Sequence, residues 1–250
     1  MREETIGKHK VKIYDSIDEL PIIRFHKYNK YLLIDSGVGS DIDDVDGRFV
    51  RAIKYIKTEP ESAIKELQNL RQLIHLVSSS LNPEHLAFAV LVAEIDDKPM
   101  NDLSEAGLQE VLRILGEAKK GWMDWLLELV KKKIDTELNL YFPGMFDDAR
   151  TKEFFDHLKQ RTMIILNGLI SGEDKTDEVE KIDDFLLSLA KPKTFYGKES
   201  VEIQYDKQFE NMNILLTQQL AVNPVNMTVL QYYNAFEYLK KSLKSKKNGR

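Results

Sequence analysis

The chain has 250 residues, 42% of them hydrophobic, and 36 Lys and Arg against 41 Asp and Glu give a net charge of −5. That length and apolar content bury a substantial core and exclude wholesale disorder, while the acidic balance argues against a broadly basic nucleic-acid-binding surface. With no cysteine, disulfides, thiolate zinc sites, iron–sulfur clusters and cysteine nucleophiles are excluded.

The charged start MREETIGKHK is not followed by the apolar region of a signal peptide. Val11-Lys12-Ile13-Tyr14 alternates as a strand does, and Ser16 with Glu19 has the spacing of a capping box. Tyr31 to Ile34 is a short apolar run, a second strand candidate. Thr58 with Glu61 and Asp102 with Glu105 are further capping boxes, and Asn82-Pro83 offers a cap followed by a proline at the first helical position. Behind these starts, Ile64, Leu67, Leu70, Leu73, Ile74 and Val77 recur at helical spacing, as do Leu108, Val111, Leu112 and Leu115; both sets are expected to face a core.

The longest uninterrupted apolar stretch, Leu86 to Ala93, is far short of the roughly 20 residues a membrane helix needs, so a soluble, unexported protein is expected. A helix from Trp122 to Leu140 is broken by Tyr141-Phe142-Pro143-Gly144. Asp147 or Asp148 opens the next, which Ser171-Gly172 ends, and another spans Asp177 to Leu189. Lys191-Pro192-Lys193 through Gly197 reads as a linker, followed by an alternating strand pattern in Val201-Glu202-Ile203-Gln204-Tyr205. The fold class is therefore mostly α, a multi-helix body with a minor β element and a C-terminal amphipathic helix. Residues 1–190 are expected to form the helical body with a short N-terminal β/loop segment, and residues 191–250 a C-terminal strand plus helices suited to inter-subunit docking.

One passage has the look of chemistry: YLLIDSGVGSDIDDVDGRFV, Tyr31 to Val50, with its glycines and five aspartates. A Walker-type phosphate loop needs Gly-Lys-Ser/Thr, and here carboxylates stand where phosphates would sit. An EF-hand counted from Asp41 puts Asp46 at the glycine position and Ala52 at the bidentate glutamate. A helix start fits better, with Ser40 as N-cap, Asp41, Asp43 and Asp44 in the first turn where the helix dipole favours anions, and Gly37 and Gly39 allowing close approach. A nonstandard cation site over Asp41 to Asp46 stays open as the alternative. Val45, Phe49, Ile53 and Ile56 are expected to form the buried stripe of the helix that follows.

The five histidines, His9, His26, His75, His85 and His157, never pair as HxxxH or HxH, and no Gly-x-Ser-x-Gly elbow is present. No catalytic set, cofactor site or metal site is assigned. At the C-terminus, Val229, Tyr232, Tyr233, Phe236, Leu239 and Leu243 recur at three- and four-residue intervals after Asn226, and a basic run closes the chain. Two readings stand: a helix packed on its own domain with lysines complementing its dipole, or a docking helix. In the second, Tyr232, Tyr233, Phe236, Tyr238 and Leu239 form the interface, and Lys240, Lys241, Lys244, Lys246, Lys247 and Arg250 meet DNA or another anionic partner.

SIDELPIIRFHKYNKYLLIDSGVGSDIDDVDGRFVRAIKYI (Ser16 to Ile56), ELQNLRQLIHLVSSSLNPEHLAFAVLV (Glu66 to Val92) and NPVNMTVLQYYNAFEYLKKSLK (Asn223 to Lys244) together resemble proteins of crAss-like phages and related tailed phages of gut Bacteroidetes. The resemblance does not extend through Asn101 to Leu220. In that group such proteins are virion structural components, the nearest role being a ring protein of the short tail or head-to-tail connector. The resemblance implies a non-enzymatic subunit of a homo-oligomeric ring, twelvefold, stacked around the DNA channel. Its implied partners are copies of itself, neighbouring portal or tail ring proteins and, non-specifically, DNA in the channel, with no membrane. Its implied location is the virion tail, and the host cytoplasm during assembly. A tail-assembly chaperone or other non-virion assembly factor is the alternative, and a metal-dependent enzyme using the Asp41 to Asp46 cluster comes third.

Overall fold

The structure is a computed structural model and describes residues 1–79, 81–116, 121–145, 149–189 and 191–248, the side chains at 149–152, 155, 187, 188 and 244–248 excepted. The chain divides into two compact units, one of Met1–Tyr141 with Lys193–Arg250, the other Phe142–Pro192. The first holds β1 (Arg2–Ile6), β2 (His9–Ile13), α1 (Ile22–Val38), α2 (Asp43–Thr58), α3 (Pro60–Ser78), α4 (Pro83–Leu91), β3 (Val92–Ile95), β4 (Lys98–Pro99), α5 (Glu105–Leu115) and α6 (Trp122–Tyr141). The second holds α7 (Ala149–Ser171) and α8 (Thr176–Leu189), after which α9 (Val201–Leu220) and α10 (Val229–Asn248) complete the first. The fold is mostly α with a minor β element. Asp147 and Asp148 lie outside the described residues.

The sheet is antiparallel in the order β1-β2-β3-β4. Asp96 and Asp97, at φ 51° and 61°, are the two left-handed residues of a type I′ turn between β3 and β4. The Asp96 carboxylate then reaches back to β2, accepting from the Lys10 N–H at 2.9 Å and meeting His9 Nδ1 at 2.6 Å. Val11 pairs with Ile95 and Lys12 with Glu94, so β2 and β3 join across α1 to α4.

At the centre is α4, buried on every side from Leu86 to Leu91 and packed against α1, α5, α6 and β3. Its start is as expected: the Asn82 side chain accepts from the His85 N–H and Pro83 takes the first helical position. Its end is held by Arg24 of α1, whose Nη1 donates to the carbonyls of Val90 and Val92 at 2.7 and 3.0 Å and whose Nη2 donates to that of Met100. Burial lowers the pKa of this guanidinium, and three carbonyl acceptors take three of its five N–H donors.

The C-terminal segment is part of this unit, not a region apart as a division after residue 190 would have it. Ile22 N–H donates to Met227 O, Val229 N–H to Leu20 O and Leu230 N–H to Ile17 O, each at 2.9 Å. These backbone bonds tie the start of α10 to the start of α1.

Several local expectations are corrected. Val201 to Tyr205 is helix, because the Ser200 hydroxyl caps α9 by accepting from the Ile203 N–H and the alternation gives way to helical periodicity. Tyr31 to Ile34 lies inside α1. Ser16 opens no helix; its hydroxyl donates to Glu137 Oε2 at 2.7 Å. Ser104, not Asp102, caps α5.

The largest correction concerns α2 and α3, which run antiparallel with Arg48 beside Glu66 and Val45 packed near Leu73. The buried residues of α2 are Arg48, Ala52 and Tyr55, whereas Phe49, Ile53 and Ile56 are exposed. In α3, Leu70 and Leu73 are buried as expected, but Ile64, Leu67 and Ile74 are not. Each helix has two adjacent stripes at helical spacing. The less apolar one turns inward because Arg48 donates to the Gly37 and Val38 carbonyls at the end of α1 and to Glu66 of α3.

The second unit is a helical hairpin. Arg161 of α7 donates to Asp183 of α8 at 2.5 Å and His157 meets the Phe185 ring at 4.3 Å. Among its described residues only Phe142 and Leu186 are buried.

Candidate functional site

The Asp41 to Asp46 passage is a helix start. Asp41 Oδ1 accepts from the N–H groups of Asp43 and Asp44 at 2.9 and 3.2 Å, and Asp44 Oδ2 accepts from those of Ser40 and Asp41 at 2.9 and 3.4 Å. The carboxylates therefore satisfy the otherwise orphaned donors at the start of α2, with Asp41 in the capping role expected of Ser40. The glycines answer steric demands. A Cβ on Gly37 would lie 2.0 Å from the Phe195 ring, and Gly39 sits at φ 101°. Among the described residues no group of three or more His, Asp or Glu side chains is arranged to hold a metal ion.

One concavity lies between α1, α9 and α10. It is an aromatic cavity of about 200 Å³ whose lining includes Phe25, His26, Tyr205, Phe209, Tyr232 and Phe236. His26 stacks on Tyr205 and Phe209 with ring centroids 4.5 and 4.0 Å away. Its Nε2 meets Asp206 Oδ1 at 2.9 Å, and Lys30 donates to the other oxygen at 2.6 Å. Burial holds the His26 pKa below its ordinary value, and the bond to Asp206 offsets this only in part. Burial works to raise Asp206, but Lys30 and His26 prevail and hold it below the usual carboxylate range.

This cavity is smaller than the roughly 300 Å³ at which small-molecule sites begin. Its lining holds no serine, threonine or cysteine that His26 could activate. Its lining is predominantly aromatic and apolar. A more polar cleft of about 540 Å³ borders His26, Lys30 and Asp206, with Lys27, Glu105 and Glu202 among its lining.

The five residues expected at a subunit interface are divided by the structure. Tyr232 and Leu239 are buried within their own unit, at 4% and 3% exposure. Tyr233 meets Phe25 edge-on at 6.3 Å, and Phe236 lines the cavity. Tyr238 is open at 65%. The second side of α10 is thus covered by the same chain, because α1 and α9 offer it an aromatic counterface. That counterface was hidden by the strand-like reading of Val201 to Tyr205; the signal for it was Tyr205 with Phe209 four residues later. Lys240 and Lys241 are exposed, 3.7 and 3.9 Å from Glu237. The side chains of Lys244, Lys246 and Lys247, and all of Arg250, lie outside the described residues.

No described helix is long and apolar enough to cross a membrane. Compared with known families, with curated proteins and with solved structures, the chain matches none.

Proposed function

We propose that this chain is a structural ring subunit of a short phage tail or head-to-tail connector, assembling with copies of itself around the DNA channel. The observation that carries this reading is the placement of apolar surface on two helical hairpins. Six large apolar residues of α2 and α3, Phe49, Ile53, Ile56, Ile64, Leu67 and Ile74, are each 45% to 62% exposed. On α7, Leu158, Ile165, Leu166, Leu169 and Ile170 are 36% to 84% exposed. Scattered apolar residues on a surface need no explanation, but contiguous helical stripes are features of association surfaces. The likeness of Ser16 to Ile56, Glu66 to Val92 and Asn223 to Lys244 to phage structural proteins supports the same reading.

In this role the fold supplies rigid helices, the aromatic cavity accepts an apolar side chain from a neighbouring tail or portal protein, and the Lys240 to Arg250 run faces DNA non-specifically. Quantitative mass spectrometry of purified particles of the phage that encodes the chain tests the proposal. A ring subunit is present at a fixed ratio to the portal protein. Its absence from particles would favour an assembly factor and contradict the proposal.

A further inference from the structure

We infer that the α2–α3 hairpin of one copy docks on the α7–α8 hairpin of the next, so that the contact is head-to-tail. The inference rests on the reading of the chain as a self-assembling subunit and names the surfaces that would join. In α2 the exposed apolar residues follow the buried ones by one position: Phe49 after Arg48, Ile53 after Ala52, Ile56 after Tyr55. In α3 the offset is the same, with Ile64 after Ala63, Leu67 after Glu66 and Ile74 after Leu73. One residue is a rotation in the same sense in both helices, and in antiparallel helices the same sense brings both stripes to one side of the hairpin. The 16 residues of α2 make this face about 24 Å long, and two helices side by side make it about 20 Å wide. Within this face the apolar residues run from Phe49 to Ile56 on α2 and from Ile64 to Ile74 on α3, about 10 and 15 Å, and form a single patch.

The second hairpin repeats the offset. On α7, Leu158, Ile165 and Leu169 follow the half-buried His157, Ile164 and Gly168. On α8, the residues one place after the half-buried Val179 and Ile182 are Glu180 and Asp183, so this face is apolar along one helix and acidic along the other. Asp183 is engaged by Arg161, which leaves Glu180 and the exposed Asp177 and Asp184 to set the charge.

Charge decides the pairing. Past its acidic first turn of Asp43, Asp44 and Asp46, α2 carries Arg48, Arg51, Lys54 and Lys57; Arg48 and Arg51 are engaged by Glu66, while Lys54, Lys57 and, on α3, Arg71 are exposed beside the apolar stripe, with the exposed Asp46 and Glu61 at its ends. The α8 helix carries five acids, Asp177, Glu178, Glu180, Asp183 and Asp184, against one lysine. An apolar face with a cationic rim thus finds on a second copy an apolar face with an acidic rim, the arrangement that steers association and fixes its register. Two different patches in contact are heterologous, and heterologous contacts repeated by rotation close a ring.

The test uses the full chain and two surface variants, one carrying Ile53→Glu with Ile56→Glu, the other Ile165→Glu with Leu169→Glu. Wild type is expected to sediment as an oligomer, and each variant alone as a monomer with unchanged circular dichroism. Each variant keeps the face the other lacks, so mixing the two should give a one-to-one dimer and nothing larger.

Because the chain has no cysteine, a mixture of Ile53→Cys and Leu169→Cys chains should also yield a crosslinked pair under oxidation, which keeps the test open if a glutamate variant fails to fold. Oligomers that survive both pairs of substitutions would overturn the named surfaces and leave self-assembly standing. Dimers of the α7 variant with itself would mean that the first face pairs with its own copy, and would overturn the head-to-tail contact. A monomer-mass disulfide in a chain carrying both cysteines would place the pairing within one chain and overturn it as well. A monomeric wild type would remove the underlying reading and the inference with it.

Discussion

Arg48 and Glu66 form an ion pair at 2.8 Å with side chains only 6% and 5% exposed, and it joins three helices. Glu66 also receives Arg51 at 3.3 Å, while the remaining Arg48 donors close the end of α1. Desolvation lowers the Arg48 pKa, and Glu66 is the main influence opposing that. Removing one partner of such a pair leaves an uncompensated buried charge, at about 3–5 kcal/mol. Glu66→Leu should therefore move the urea midpoint down by that equivalent, and Arg48→Met with Glu66→Leu together should cost less than the two single changes summed. Additive losses would show that the two residues act separately.

The same pair shows what the sequence could and could not disclose. Spacing in α2 defines Phe49, Ile53 and Ile56 as one stripe and Arg48, Ala52 and Tyr55 as the next, and hydrophobicity favours the first. The choice is made by the Gly37 and Val38 carbonyls and Glu66, which are partners from other elements. Features decided locally, such as the Asn82 cap with Pro83, were legible. β3 was not, because the Leu86 to Ala93 run changes from helix to strand where Ile95 and Glu94 find β2, far off in the chain. The Asp41 to Asp46 passage was legible as a helix start because its carboxylates bond backbone within four residues. The aromatic cavity was not, since it joins α1 to α9 and α10.

Asp41 carries the cap of α2, so Asp41→Ala should cost about 1 kcal/mol in thermal or urea unfolding, whereas Asp41→Asn keeps an acceptor and should cost only a few tenths. Ser40→Ala should leave this cap intact and lose only the hydroxyl's bond to the half-buried Asp35 carboxylate, at a smaller cost. Equal costs at Ser40 and Asp41 would reverse the assignment. Calcium or magnesium should leave the melting temperature of wild type unchanged.

The Tyr232 hydroxyl is buried without a hydrogen-bond partner, while its ring packs 5.9 Å from Phe209 and 5.7 Å from Tyr233. Removing an unsatisfied buried hydroxyl removes a desolvation cost of about 1–3 kcal/mol. Tyr232→Phe should consequently equal or exceed wild type in stability, and Tyr232→Ala should lose about 3–5 kcal/mol by emptying the site. A clear loss in the phenylalanine variant, seen in chemical denaturation, would show that the hydroxyl is bonded.

His26 provides a pH test. Its folded pKa lies below its ordinary value of 6.5, so between the two the unfolded chain binds more protons than the folded one and stability rises with pH. The His26 contribution is complete above about 6.5 and is lost as pH falls through the folded pKa. Asp35 and Glu84, raised by burial, act in the opposite sense at lower pH, so the comparison must be a difference. Wild type minus His26→Phe stability, measured by urea unfolding from pH 7.5 to 5, should shrink as pH falls. A flat difference would show no shift on folding, and one that grows on acidification would mean that the fold favours the charged imidazole; either would contradict the assignment.

Self-assembly of this 29.0 kDa chain is what the proposed role requires. The direct measurement is its molar mass in solution by light scattering during size exclusion, across a range of concentrations and at low and high salt. A discrete species at a whole-number multiple of 29.0 kDa, weakened by salt as the rim charges are screened, is the expected result. A mass of one chain at every concentration and salt would contradict it.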